Sequence, residues 1–161
     1  MKPSLITTTI GAFPKPNYVP VRDWFDLAKE TGGMNTAETT YQYSKDIEKN
    51  KDAHEDLFIR AAQEVLEIQI RAGISIPTDG EVRRENYIHY HCRHLGGFDF
   101  NSLEHRVLRD GAYETDLPAI RGPILHSGKN YSAHDYIASQ GVSSRPVKFT
   151  LPGPLTIMDT T

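Results

Sequence analysis

Ile74-Ser75-Ile76-Pro77-Thr78-Asp79-Gly80-Glu81 is the stretch on which the fold turns. It reads as a brief strand whose far end carries two carboxylates beside a glycine. Immediately before it, residues 52 to 72 hold the strongest apolar period of the chain, with Leu57, Ala61, Val65 and Ile68 stepping by four, four and three and Phe58, Ala62 and Leu66 beside them. That spacing predicts a long amphipathic helix. Asp52 stands at its start with Glu55 three residues on, as in a capping box, and Gly73 stands where a left-handed C-terminal residue is wanted. A helix running straight into a strand is an αβ unit.

Two further segments resemble this strand. Leu5 to Ile10 is short and rich in β-branched residues and empties into Gly11-Ala12-Phe13-Pro14-Lys15-Pro16. Val147-Lys148-Phe149-Thr150-Leu151 alternates at period two until Pro152-Gly153-Pro154 cuts it off. Three strands that each open into a Gly or Pro turn match the way parallel α/β proteins present a functional rim. Elsewhere, Val21 to Glu30 predicts a short helix stopped at Gly32-Gly33, and Gly33 to Asn50 a loop with some helical content. Tyr87 to His94 predicts another short helix. From about 101 to 140, scattered Gly and Pro predict a β-ribbon or loop excursion.

Composition sets the class. A chain of 161 residues with 38% hydrophobic and 24% charged residues is an ordinary globular composition. Eighteen Lys and Arg against 21 Asp and Glu leave no positive field for nucleic acid or anionic lipid. Thr7, Thr8 and Thr9 break the apolar run a secretory leader requires, and no stretch approaches the roughly 20 apolar residues of a membrane span. The lone Cys92 excludes an intramolecular disulfide and fits a reducing compartment. A cytoplasmic enzyme or binding domain is the expectation.

Several segments, taken together and in order, resemble the catalytic barrel of the cobalamin-independent methionine synthase family. They are Thr7-Thr8-Thr9-Ile10-Gly11-Ala12-Phe13-Pro14, Asp79-Gly80-Glu81 with Arg84, His89-Tyr90 through Leu95 to Gly97-Phe98, and Val147-Lys148 through Leu151-Pro152-Gly153-Pro154-Leu155-Thr156. The resemblance implies a (β/α)8 TIM barrel, for which about 250 residues are typical. At this length the whole chain, 1–161, is expected to form an incomplete catalytic barrel: the first three or so strands plus the ribbon excursion. An open parallel edge after the third strand invites self-association.

The resemblance further implies methyl transfer from methyltetrahydrofolate to a zinc-bound homocysteine thiolate. A free thiol, with a pKa of about 8.5, is a poor nucleophile, and zinc coordination removes its proton. The implied zinc ligands, a His, two Cys and a Glu, are expected beyond this chain, which would supply homocysteine contacts instead. Glu81 matches the glutamate that receives the homocysteine ammonium; read on its own, it is as well a surface or helix-capping carboxylate. Ile10, Gly11 and Ala12 match the segment lying against the amino-acid carboxylate, where Gly11 permits close backbone approach or is an ordinary turn glycine. Ala12 replaces the family's serine, so one hydroxyl donor is lost. Pro152 replaces a threonine. Arg83 and Arg84 are either contacts to an anionic substrate or surface arginines.

Two features point elsewhere. Where the family carries an Arg-Cys pair for the glutamate tail of folate, this chain has Tyr113-Glu114-Thr115-Asp116-Leu117-Pro118, whose acidity repels a polyanion. A different methyl donor or thiol acceptor on the same barrel is therefore the alternative. His89, His91, Cys92 and His94 are numerous enough for a zinc site and would make a non-catalytic metal-binding module. On a helix, however, His91 and His94 share one face and His89 and Cys92 another, so a solvated, partly packed helix is expected in place of a metal site.

Overall fold

The structure, a computed structural model, describes residues 5–21, 36–49, 54–108 and 110–161. The helix expected from Val21 to Glu30, its Gly32-Gly33 stop and the Asp52 cap lie outside the described residues, Val21 excepted. In chain order the elements are α1 (Ala37–Lys49), α2 (Glu55–Arg71), α3 (His89–Arg93), β1 (Leu95–Leu108), β2 (Tyr113–His126), α4 (Tyr131–Gly141) and α5 (Pro154–Asp159). They fall into two compact units.

The first unit comprises residues 1–19, 52–83 and 130–150. Its core is the inner face of α2, where Phe58, Ala61, Ala62, Val65, Leu66 and Gln69 are buried. The apolar stripe read from the sequence is therefore rotated by part of a turn: Leu57 is only half-buried and Ile68 is 44% exposed. Glu55 and Asp56 lie in the first turn, where carboxylates favour the positive end of the helix dipole. Gly73, at φ +88°, closes the helix in a Schellman arrangement, with the Ile74 amide donating to the Gln69 carbonyl at 3.0 Å.

The three expected strands are present as short parallel extended segments, each joined to the next by one bridge, Thr8 with Ile76 and Thr78 with Lys148. The middle segment is the one containing Ile76 and Thr78. A continuous ladder is absent for two local reasons. Pro77 has no amide hydrogen to donate. The Gln69 side chain occupies the backbone of Thr78, accepting from its amide at 3.0 Å and donating to its carbonyl at 2.8 Å. Helix α2 leads into the second segment and α4 into the third, so the chain repeats an αβ unit and forms a partial α/β fold.

The excursion predicted over about 101–140 is corrected at its far end, because residues 131–141 are helical. Asn130 caps α4 by accepting from the Ala133 amide at 3.1 Å. The helix was hidden because its buried positions, Asp135 and Ser139, are polar and leave no apolar period to read.

The second unit comprises residues 20–51, 84–129 and 151–161. Its antiparallel ribbon pairs β1 with β2 from Leu95 opposite His126 to Leu108 opposite Tyr113, with irregularities between Gly96 and Phe98 and between Asp99 and Glu104. Residues 37–49, expected mainly as loop, form α1. Thr36 and Thr39 exchange amide and hydroxyl hydrogen bonds at the helix start, and Asp116 on β2 accepts from the Ala37 amide at 2.8 Å. Arg93 at the end of α3 ties these parts together. It donates to Glu85 at 2.6 Å, to the Ser44 hydroxyl at 2.9 Å and to the Thr40 carbonyl at 3.1 Å, and lies 4.1 Å from the Phe100 ring centroid.

The expected solvated histidine helix is also corrected: His89, Tyr90, His91 and Cys92 are all buried. Asn86 starts this helix by accepting from the amides of Ile88 and His89. Burial, aided by Arg93 for His89 and by Arg84 and His94 for His91, lowers both imidazole pKa values to about 3. In the unfolded chain the same groups protonate near 6.5. Between these values the unfolded state binds more protons than the native one, so stability falls as pH falls from about 6.5 toward 3. At pH 5 the loss is on the order of 2 kcal/mol per histidine. Urea midpoints measured from pH 7.5 down to 4.5 should decline, and His89→Phe should flatten the decline; an unchanged slope would contradict burial of a neutral imidazole.

Candidate active site at the rim of the parallel segments

The turn after the second segment is built by its own side chains. Asp79 accepts the Glu81 amide through Oδ1 at 3.0 Å, an Asx-type turn that places Glu81 at φ +57°. A non-glycine residue in this region carries strain of roughly 1–2 kcal/mol, which its surroundings must offset. Gly80 precedes it at φ +69°, and its carbonyl accepts from the Phe13 amide at 3.0 Å. A Cβ at position 80 would lie 2.6 Å from Val65 Cγ1, so the turn sits directly on the helix core.

This geometry sends the Glu81 side chain toward the first turn. A Cβ on Gly11 would stand 2.5 Å from Glu81 Oε1. Only glycine at position 11 lets the carboxylate lie there. Thr150, from the third segment, donates its hydroxyl to the same Oε1 at 2.7 Å. The Thr78 hydroxyl, from the second, holds the Gly11 carbonyl at 2.9 Å. The C-terminal ends of all three parallel segments thus converge on one carboxylate. Lys148, two residues before Thr150, donates its ammonium to the Thr9 carbonyl.

The turn is anchored at its other side by Arg83. This buried guanidinium donates to both oxygens of Glu55 at 2.6 and 2.7 Å, and its Nε lies 3.9 Å from Asp135 Oδ1. The hydrogen-bonded guanidinium holds the Glu55 carboxyl below its usual range. His134 Nδ1 lies 3.2 Å from Asp135 Oδ1.

Among the residues singled out from the sequence, Gly11 and Glu81 are brought together. Ile10 is 96% exposed and Ala12 is exposed, so neither side chain packs against the carboxylate. Arg83 and Arg84 are buried rather than surface arginines. Arg84 belongs to the second unit, where its guanidinium lies 5.8 Å from the Tyr90 ring centroid. Thr150 and Lys148 were not identified as site residues; the signal for them was the alternation of Val147 to Leu151, which sets both opposite the buried Val147.

Zinc finds no fitting ligand set here. No group of three His, Cys, Asp or Glu side chains among the described residues is arranged to hold a metal ion. Burial pushes the Cys92 thiol up to about 12, so it stays protonated near neutral pH. No helix among the described residues is long and apolar enough to cross a membrane.

The sequence pattern of the family described as "Cobalamin-independent synthase, Catalytic domain" matches residues 5–161. The chain is 28% identical to a methionine synthase of Sulfolobus acidocaldarius over 96% of its own length and 40% of that protein. It is 33% identical to a methionine synthase of Saccharolobus solfataricus over 98% of its own length and 41% of that protein. With a 5-methyltetrahydropteroyltriglutamate–homocysteine methyltransferase of Buchnera aphidicola the identity is 31%, over 97% of this chain and 18% of that enzyme. Among solved structures, a B12-independent methionine synthase from a Shewanella species, in complex with selenomethionine, superposes with a TM-score of 0.68 at 25% identity. It covers 97% of this chain, which corresponds to 40% of the Shewanella chain. The chain thus spans about two-fifths or less of the relatives it matches, and it belongs to the cobalamin-independent methionine synthase family, within the catalytic domain.

Proposed function

We propose that the protein acts in methyl transfer from a methyltetrahydrofolate to the sulfur of homocysteine, and that this chain supplies the contacts to the amino-acid end of homocysteine. The observation that carries the reading is the Glu81 carboxylate, set against Gly11 and held by Thr150 at the shared rim of three parallel segments. Such a carboxylate accepts a substrate ammonium in charge-assisted hydrogen bonds, and the strained turn fixes its direction before substrate arrives. The Buchnera relative's name supplies the donor and acceptor, and the Shewanella neighbour was solved with an amino acid of the same backbone chemistry. On this reading the three segments are the first part of a (β/α)8 barrel rim. On the same reading, activation of the thiol falls to groups other than those of this rim.

Glu81→Gln keeps the size of the side chain and removes its charge. Homocysteine affinity measured by calorimetry should fall roughly tenfold to a hundredfold. Unchanged affinity would remove the role assigned to Glu81.

A second reading keeps the amino-acid site and changes the methyl donor or thiol acceptor. It is favoured by Asp116, which holds the Ala37 amide and lies 3.1 Å from His105 Nδ1, so the acidic stretch is built into the ribbon. Turnover with a triglutamylated methyltetrahydrofolate would count against this second reading.

A further inference from the structure

We propose that Thr150 is a positioning residue of the rim: its hydroxyl aims the Glu81 carboxylate and so sets how strongly an amino thiol is preferred over the same thiol without its amino group. The inference rests on the assignment of Glu81 to the substrate ammonium and adds the group that makes that contact selective.

Glu81 needs such a group, because a long side chain loses rotamer freedom when it is held in one direction. The Asp79 turn fixes the Glu81 backbone at φ +57°, and the missing side chain of Gly11 makes room for Oε1, where a Cβ would stand 2.5 Å away. Neither of these is a bond to the carboxylate. The Thr150 hydroxyl supplies one, donating to Oε1 at 2.7 Å from a segment 69 residues further along the chain.

Threonine suits this task because its branched Cβ restricts χ1. Both arms of Thr150 are engaged at the first turn: Oγ1 holds Oε1, and Cγ2 lies 3.4 Å from the position a Gly11 Cβ would take. The alternation of the third segment brings the residue there, since Val147 is buried and Thr150 falls on the opposite side. Thr150 is half-buried, where a charge-assisted bond is screened less than on an open surface. A carboxylate released from this bond keeps its charge and loses its aim, so binding of an ammonium weakens without disappearing.

The test is calorimetric binding of homocysteine and of its deaminated analogue, 4-mercaptobutyrate. The unmodified protein should bind homocysteine roughly tenfold to a hundredfold tighter than the analogue. Thr150→Val keeps the shape and removes the donor; it should shrink that preference roughly threefold to tenfold and leave the affinity for 4-mercaptobutyrate unchanged. Thr150→Ser should keep most of the preference. In a Glu81→Ala background, Thr150→Val should have no further effect on homocysteine binding. An undiminished preference in Thr150→Val overturns the proposal and leaves the Glu81 assignment standing. Equal losses for both thiols overturn it as well, because they would mark general damage to the rim. Tighter homocysteine binding by Thr150→Val also overturns it, since the bond would then compete with the substrate. If the unmodified protein does not distinguish the two thiols, or binds neither, the Glu81 assignment falls and this proposal with it. Should Thr150→Val not fold, Thr150→Ala is read by the same outcomes.

Discussion

Gly11→Ala should reduce homocysteine affinity roughly tenfold to a hundredfold while leaving the fold intact. The added methyl would lie 2.5 Å from Glu81 Oε1, inside any permitted contact, and 3.3 and 3.4 Å from Glu81 Cδ and Thr150 Cγ2. The closest of these atoms is the far end of a flexible side chain, so the carboxylate moves and the backbone does not have to. The move breaks the 2.7 Å bond from Thr150 and turns the charge away from the rim. Losing the substrate ammonium's charge-assisted bond to Glu81 costs on the order of 1.5–3 kcal/mol, which sets the expected fall in affinity. A double-mutant cycle identifies the route. If Gly11→Ala acts through the carboxylate, adding it to Glu81→Ala should change little further. Additive losses would mean that Gly11 matters for some other reason.

Arg83→Met should be the most destabilising of the changes considered, by about 3 kcal/mol or more. Arg83 is 7% exposed and holds both oxygens of Glu55, with Asp135 nearby and its ring neighbour Phe58 at 5.3 Å from the guanidinium carbon. Methionine keeps most of the apolar contact and removes the charge, so two carboxylates of the first unit lose their cation together. Lysine restores charge but not the two-pronged geometry, so Arg83→Lys should recover only part of the loss. Urea unfolding measures both. A loss under about 0.5 kcal/mol for Arg83→Met would show that the pair behaves as an exposed surface bridge.

The elements that carry the functional rim were legible because each has a one-dimensional signature. The period of residues 52–72 and the Gly73 stop define α2, and the β-branched or alternating runs at Leu5–Ile10, Ile74–Glu81 and Val147–Leu151 define the three segments. What escaped were elements stabilised by polar groups. Helix α4 buries Asp135 and Ser139, and α1 is started by Thr36, Thr39 and the distant Asp116, so neither shows an apolar period. The meeting of Gly11 with Glu81 was expected from family resemblance. Its physical cause, the left-handed Glu81 fixed by Asp79, is a local side-chain turn that no periodicity signals, whereas the bond from Thr150 joins residues far apart in the chain. The burial of the histidine cluster is not legible because imidazole is usually solvated, whereas here His89 packs edge-on against the Phe100 ring and His91 against the Tyr90 ring, with centroids 5.9 and 5.5 Å apart.

A crystal structure of the protein with homocysteine bound decides the role of Glu81. The ligand nitrogen should lie within 2.6–3.2 Å of a Glu81 carboxylate oxygen, with Gly11 against the ligand and Thr150 still on Oε1. A homocysteine whose ammonium is held by other residues, with Glu81 turned away from the first turn, would contradict it.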